Sequence, residues 1–317
     1  MRKLESNLPD IRIYKLGHSF YNILYVLKLI RIIKGYDIIH THLTSPQLFV
    51  AIANIFQRKK LVTTEHSSNN KKRTSAWLRI IDRWMYRRYN SVICISDVAE
   101  KNLRDYLGSI HNKPQIQTIN NGVDVEKINV AKPINRNSVG CDDNKFVVVM
   151  VAGLRPVKDH DTLIKAMTHL SKNRFELWIV GDGERRSVIE KEIEELHVDD
   201  RIKMLGLRND VPSVLKAADV VVMSSHWEGL SLSNIEGMSA GKPFIASEVD
   251  GLREVTQGYG ILFPHGDDKA LAEIILKLES TPQLYNEVAQ RCYDRAKEFD
   301  ISVTVREYIS IYKKLVN

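Results

Sequence analysis

Cysteine is scarce in this chain. The three present, Cys94, Cys141 and Cys292, do not pair at any metal-ligand or redox spacing. That excludes a zinc-ribbon or disulfide scaffold and sets a reduced, intracellular environment as the expectation. Long apolar runs are missing too. The stretch around 21–33 is interrupted by Lys28 and Arg31 and is too short to span a bilayer, and no secretory leader is read at the start. There is no nucleic-acid-binding motif, internal repeat or low-complexity tract, so a nucleic-acid partner is not expected. A buried opening strand with a Gly-rich turn is also absent. The chain begins with a polar stretch over 1–10, and the first half reads as shortened at its start.

What remains is the composition of a soluble α/β protein: 317 residues, 44% hydrophobic and 27% charged, enough for two domains of ordinary size. The charge is unevenly placed. Residues 1–130 carry 21 Lys+Arg against 10 Asp+Glu, a net +11, so the rest carries −4 within the overall +7. A basic half faces anionic partners: a membrane surface or a pyrophosphate-bearing substrate.

Strand-like and helical periods alternate nearly throughout. Strands are expected over 11–16, 37–41, 60–64, 91–95 and 115–119, then 145–152, 175–180, 202–205, 220–224, 243–246 and 260–263. Helices are expected over 20–33, 46–56, 75–89 and 98–107, then 162–170, 184–196, 211–217, 234–240, 267–278, 283–297 and 303–315. Strands joined by crossover helices make parallel sheets. The pattern breaks over 125–144, which reads as a linker between two Rossmann-like halves facing a cleft.

Chemistry concentrates at strand ends. His226-Trp227-Glu228-Gly229-Leu230-Ser231-Leu232-Ser233-Asn234-Ile235-Glu236 follows a strand and opens a helix. Two carboxylates bracketing a helix start suit a sugar joined to a nucleoside diphosphate. Gly153-Leu154-Arg155-Pro156-Val157-Lys158 supplies two cations in a strand–helix loop, able to hold a diphosphate. Asp159-His160-Asp161 has a metal-binding Asp-x-Asp spacing, but a helix N-cap before Thr162 is the more economical reading. Gly181-Asp182-Gly183 permits close backbone approach to a ligand. His40 and His42 share one strand face; His42, at the carboxyl end, is the one placed to reach a ligand, and His40 reads as a satisfied core histidine. His66 ends the next strand at the same edge. A metal site from His42, His66 and Glu65 is conceivable but nothing in the spacing fixes it. Asn120-Asn121-Gly122-Val123-Asp124 reads as a plain turn. Arg79, Arg83, Arg87 and Arg88 flank Trp77, Ile80 and Trp84 on one helix, which is either a solvated basic face or a surface for anionic lipid.

Taken together, these runs resemble the retaining glycosyltransferases of the GT-B fold, family 4 (glycosyl transferases group 1), over nearly everything from Asp37 onward. In this chain Gly153 is followed by Leu154 and the family's Arg falls at Arg155. The resemblance implies an α/β GT-B architecture: two Rossmann-like, doubly wound parallel-sheet domains facing a central cleft, with 1–128 and the returning helix 300–317 forming the acceptor-side domain and 129–299 the donor domain. It implies transfer of a hexose-type sugar from a nucleotide donor to an acceptor hydroxyl, with no cofactor and no metal. The basic first half points to a saccharide or polyprenyl-linked acceptor, and to a cytoplasmic protein with a peripheral place on the inner face of the cytoplasmic membrane as an option. Glu228 would hold sugar hydroxyls and Glu236 the ribose. Arg155 and Lys158 would grip the diphosphate. Gly181, Leu232, Ser233 and Asn234 would approach the donor, Arg208 would lie near the base, His42 would reach the reacting sugar, and His66 would serve the acceptor side. A non-catalytic nucleotide-sugar-binding partner and a nucleotide-sugar 2-epimerase are the alternatives.

Overall fold

The computed structural model describes residues 11–17, 22–66, 76–108, 114–229 and 231–317. The chain divides into two units: residues 1–119 with 309–317, and residues 120–308.

In the first unit, α1 (Tyr25–Ile33) precedes a four-stranded parallel sheet, with strands β1 (Ile38–His42), β2 (Lys60–Glu65), β3 (Ser91–Cys94) and β4 (Gln115–Thr118) lying in chain order. The crossovers are α2 (Thr44–Gln57), α3 (Ala76–Tyr86) and α4 (Asp97–Leu107). β3 is buried along its whole length and β2 after its first residue. Their burial is continuous because strands of a covered parallel sheet are buried on both faces. Ser96 caps α4 by accepting from the Ala99 amide, and Gly108 ends it. Residues 11–16, expected as a strand, have no regular structure. Alternation of apolar residues over 11–16 describes a face, but a strand also needs a ladder partner for its backbone, and none is present among the described residues.

The second unit is a six-stranded parallel sheet: β5 (Phe146–Val151), β6 (Phe175–Val180), β7 (Ile202–Gly206), β8 (Val220–Met223), β9 (Phe244–Ser247) and β10 (Ile261–Phe263), in the spatial order β10-β9-β8-β5-β6-β7. It carries the larger core, in which Trp178, Phe175 and Phe244 are fully buried. The helices are α5 (Val125–Asn129), α6 (His160–Thr168), α7 (Arg186–Glu195), α8 (Val211–Ala217), α9 (Leu232–Ser239), α10 (Leu252–Thr256), α11 (Asp268–Ser280), α12 (Pro282–Lys297) and α13 (Ile301–Val316). Among the described residues no helix is long and apolar enough to cross a membrane.

The stretch read as a linker is strapped onto this unit. Asp124 caps α5 by accepting from the Lys127 amide, and Val125 and Ile128 are buried. A 3-10 turn (Arg136–Val139) follows, and Arg136 bonds the Ala217 carbonyl at 2.6 Å and the Asp219 carboxylate at 2.8 Å. The division between units therefore lies earlier than 128. Val123 pairs in parallel with Asp300, with Val123 N bonded to Phe299 O at 3.0 Å and Ile301 N to Val123 O at 2.8 Å. This bridge keeps 120–128 and the first turns of α13 in the second unit, and only 309–317 joins the first.

Candidate functional site

The strand order of the second unit reverses at β5 and β8, which are neighbours although three crossovers separate them in sequence. Loops leaving the carboxyl ends of two such strands part to opposite faces and leave a crevice, where open α/β sheets bind ligands. The loop after β5 carries Arg155 and Lys158. The loop after β8 carries Glu228.

These two loops are pinned to each other. Ser224 Oγ donates to the Asp159 carbonyl at 2.7 Å, and His226 N donates to the Val157 carbonyl at 2.8 Å. Lys158 Nζ forms an ion pair with Glu228 Oε1, and Ser225 Oγ donates to that oxygen at 2.7 Å. The Lys158 and Glu228 side chains are only 18% and 12% exposed, so this pair is less screened than a surface one. Lys158 ends a 3-10 turn (Pro156–Lys158). Asp159 then takes a left-handed conformation, φ 48°, and caps α6, its Oδ2 accepting from Thr162 Oγ1 at 2.6 Å and its Oδ1 from Thr162 N at 3.3 Å. The N-cap reading of Asp159 thus holds. Asp161 pairs with Arg185 at 2.9 Å. Arg155 is exposed and forms no ion pair among the described residues.

Backbone packing at the crevice needs glycine at several places, two of them also at positive φ. Gly181, at the end of β6, has φ +141°, and a Cβ there would lie 2.0 Å from the Ala152 carbonyl oxygen. Gly251, at φ +82°, would put a Cβ 2.3 Å from the Glu228 carbonyl oxygen. Both let a neighbouring loop approach closer than any side chain allows.

Helix α9 supplies the second acid. Leu232 is exposed, Ser233 and Glu236 are half-buried, and Asn234 is fully buried with neither amide atom hydrogen-bonded. Glu236 and Leu232 border an open cavity of about 190 Å³, lined also by Val211 and Pro212 of α8 and by Lys127 of α5. Burial raises the Glu236 pKa above the ordinary glutamate range. Arg208 stands at the entry to α8, its guanidinium held by both Asp210 oxygens at 2.8 and 2.7 Å.

In the first unit, His42 Nδ1 and His66 Nε2 lie 2.9 Å apart at the carboxyl ends of β1 and β2. His40 stacks on His42 with ring centroids 4.5 Å apart. Its own nitrogens meet Thr64 Oγ1 at 2.8 Å and Tyr312 Oη at 2.5 Å, as expected of a satisfied core histidine. Burial, then His42 and His66, push the His40 pKa down to about 4. The His42 pKa is lowered by burial and then by His66. Leu43, next after His42, has φ 72° and ψ 153°, a strained conformation of a kind that concentrates at functional sites. Glu65 turns inward, where Gln47 Nε2 at 2.8 Å and the Tyr86 hydroxyl donate to it; it does not join the two histidines as a third ligand.

Of the residues singled out from sequence, Lys158 and Glu228 meet directly, Arg155 and Gly181 share their sheet edge, and Glu236 with Leu232 borders the cavity. Ser225 and the hydrogen bonds joining the two loops were not foreseen. The Ser224-Ser225 pair before His226 was the available signal, since hydroxyls at a strand end commonly tie down loops.

A family model described as "Glycosyl transferases group 1" matches residues 131–299, and one described as "Glycosyltransferase Family 4" matches 4–127. A UDP-Gal:alpha-D-GlcNAc-diphosphoundecaprenol alpha-1,3-galactosyltransferase of Escherichia coli is 30% identical over 68% of this chain and 59% of its own length, so the chain spans about three-fifths of that relative. An N-acetyl-alpha-D-glucosaminyl L-malate synthase of Bacillus anthracis is 26% identical over 87% of the chain and 74% of its own length. Among solved structures, Anabaena HepE in complex with UDP and glucose superposes with a TM-score of 0.80 at 22% identity, over 98% of this chain and 88% of its own. A glycosyltransferase from Rickettsia africae gives 0.84 at 18% identity, over 100% and 88%. At these identities the structural likeness speaks to the fold, which is GT-B.

Proposed function

The chain belongs to the family 4 (group 1) glycosyl transferases, and from that premise we propose that it moves a hexose-type sugar from a nucleoside-diphosphate donor to a saccharide or lipid-linked saccharide, with retention at the anomeric carbon. The observation that carries the reading is the Lys158–Glu228 pair at the β5/β8 crevice, beside a helix whose Glu236 borders a cavity. In this proposal Glu228 binds hydroxyls of the transferred sugar and Glu236, when ionised, accepts from the ribose hydroxyls. The cavity bordered by Leu232 and Glu236 houses the nucleoside, and Arg208, Ser233 and Asn234, which do not line it, act on the donor from beside it. The diphosphate lies against Arg155, Lys158 and the backbone at Gly181.

Breaking the sugar–phosphate bond leaves an oxocarbenium-like sugar and builds charge on the diphosphate. Two cations and the start of α9 stabilise that charge, and transfer then needs no metal. The departing phosphate oxygen takes the acceptor's proton on the same face, so no dedicated base is required. In the first unit, His42 is the candidate for the reacting sugar and His66 the acceptor-side candidate. The substrates in the relatives' names make a UDP-sugar the first donor to try and a diphosphate-linked lipid saccharide the first acceptor.

The decisive experiment pairs two variants. Glu236→Ala should weaken nucleoside-diphosphate binding in calorimetry, and Arg155→Ala should lower turnover about a hundredfold, as loss of one charge-stabilising donor does elsewhere. Unchanged behaviour in both removes the assignment. Donor conversion without acceptor would indicate an epimerase, and binding without turnover on any acceptor a non-catalytic partner.

A further inference from the structure

Three loops of the second unit bring together atoms of a kind that ligates transition metals. Among the described residues, Asp159, His226 and His265 form a group whose ligand atoms all lie within 4.8 Å of one another. His226 Nδ1 is 2.7 Å from His265 Nε2 and 3.6 Å from Asp159 Oδ2. The residues follow β5, β8 and β10, so the cluster spans much of one sheet end although it is built from positions up to 106 apart in sequence.

The parts differ in rigidity in a useful way. Asp159 is buried, and its carboxylate is oriented by Thr162 through both oxygens, the outer-shell support that metal-binding carboxylates commonly have. The two histidines are exposed, so an ion can reach them from solvent and their rings can turn. A tetrahedral zinc-class ion with bonds near 2.0–2.1 Å sets its ligand atoms about 3.3 Å apart. The observed 2.7 and 3.6 Å bracket that spacing, so occupation asks for shifts of about half an ångström. Two imidazoles and one carboxylate suit zinc and its neighbours better than magnesium or calcium, which take oxygen ligands.

We propose that Asp159, His226 and His265 bind one divalent transition-metal ion, with water completing the shell, and that the ion clamps the loop carrying Glu228 to the loops after β5 and β10. The ion takes no part in sugar transfer. The site stands whether or not the transferase reading does, because its test does not use turnover.

The test uses the full, tag-free chain after chelator treatment, titrated with Zn²⁺ in calorimetry and against a chromophoric chelator. One ion per chain is expected, with affinity at least tenfold weaker in His226→Ala and in His265→Ala and lost in the double variant. His66→Ala, which removes the other close histidine pair, should leave it intact. Zn²⁺ should also raise the melting temperature of the parent chain and not of the double variant, and unchanged metal-free melting of the single variants shows that they fold. Absence of saturable binding, survival of binding in the double variant, or its loss in His66→Ala would each overturn the proposal; the first would leave His226 and His265 as a plain hydrogen-bonded pair.

Discussion

His160 and Glu236 show how burial sets opposite pH responses in neighbouring parts of one unit. His160 is fully buried, and neither ring nitrogen has a hydrogen-bond partner. Burial first, and then the Arg185 charge, push its pKa from 6.5 down to about 4. The unfolded chain therefore takes up a proton that the folded chain refuses. The stabilising contribution is fully present above pH 6.5 and is lost as pH falls toward 4. Replacing the ring with a leucine side chain removes both the titration and the unsatisfied nitrogens. His160→Leu should melt higher than the parent at pH 5 by a margin that shrinks at pH 7.5, and parallel melting curves across that range would refute this. Glu236 works the other way. Its raised pKa means the folded state holds the proton more tightly than the unfolded chain, so ionising it as pH rises costs stability. A carboxylate kept half-buried at that cost, beside a cavity, fits the ribose-binding role proposed for it.

At the scale of elements, the carboxyl ends of β5 and β6 depend on backbone approach. Gly181 and Gly153 both lie just past strand ends, yet they differ sharply. Gly181→Ala would force a methyl to 2.0 Å from a carbonyl oxygen at a left-handed φ, while a Cβ at Gly153 meets its nearest atom at an ordinary 3.8 Å. Gly181→Ala should therefore destabilise by about 1–3 kcal/mol in denaturant unfolding, and Gly153→Ala should stay within about 0.5 kcal/mol. Equal effects would show that the close contact relaxes freely. Most elements were legible because β5 and β8 are unbroken apolar runs and helices such as α12 keep a clear period. The expected strand over 11–16 and the expected linker failed for the same reason: whether residues with local periodicity pair, or a Pro-containing stretch docks, depends on partners far away in sequence. Arg136, which finds Ala217 and Asp219, is such a case.

At the scale of the whole molecule, positive charge gathers in residues 1–130, and α3 adds apolar side chains to it. Trp77 is 78% and Ile80 64% exposed, beside Arg79 and Arg83. An exposed apolar stripe flanked by cations fits an anionic lipid surface, each cation near such a surface contributing about 1 kcal/mol, and a lipid-linked acceptor would be found there. The parent chain should bind vesicles containing anionic lipid and release them as salt rises. A Trp77→Glu, Ile80→Glu double variant should bind at least tenfold more weakly, with melting unchanged because both positions are exposed. Equal binding by parent and variant, or binding to purely zwitterionic vesicles, would refute the membrane reading.

The amino-acid order alone determined the alternation of strands and helices, the parallel sheets that follow from it, the positions of Lys158, Glu228, His42 and His66 at or after strand ends, and that of Glu236 in the helix after β8. Those are local properties, set by side-chain period and turn chemistry within a few residues. Only the tertiary structure decided that β5 lies beside β8, that Lys158 therefore meets Glu228 across 70 residues, that 120–128 stays with the second unit, and that Asp159, His226 and His265 converge. Sheet order and loop contacts are fixed by long-range packing, and no stretch of sequence carries that information by itself.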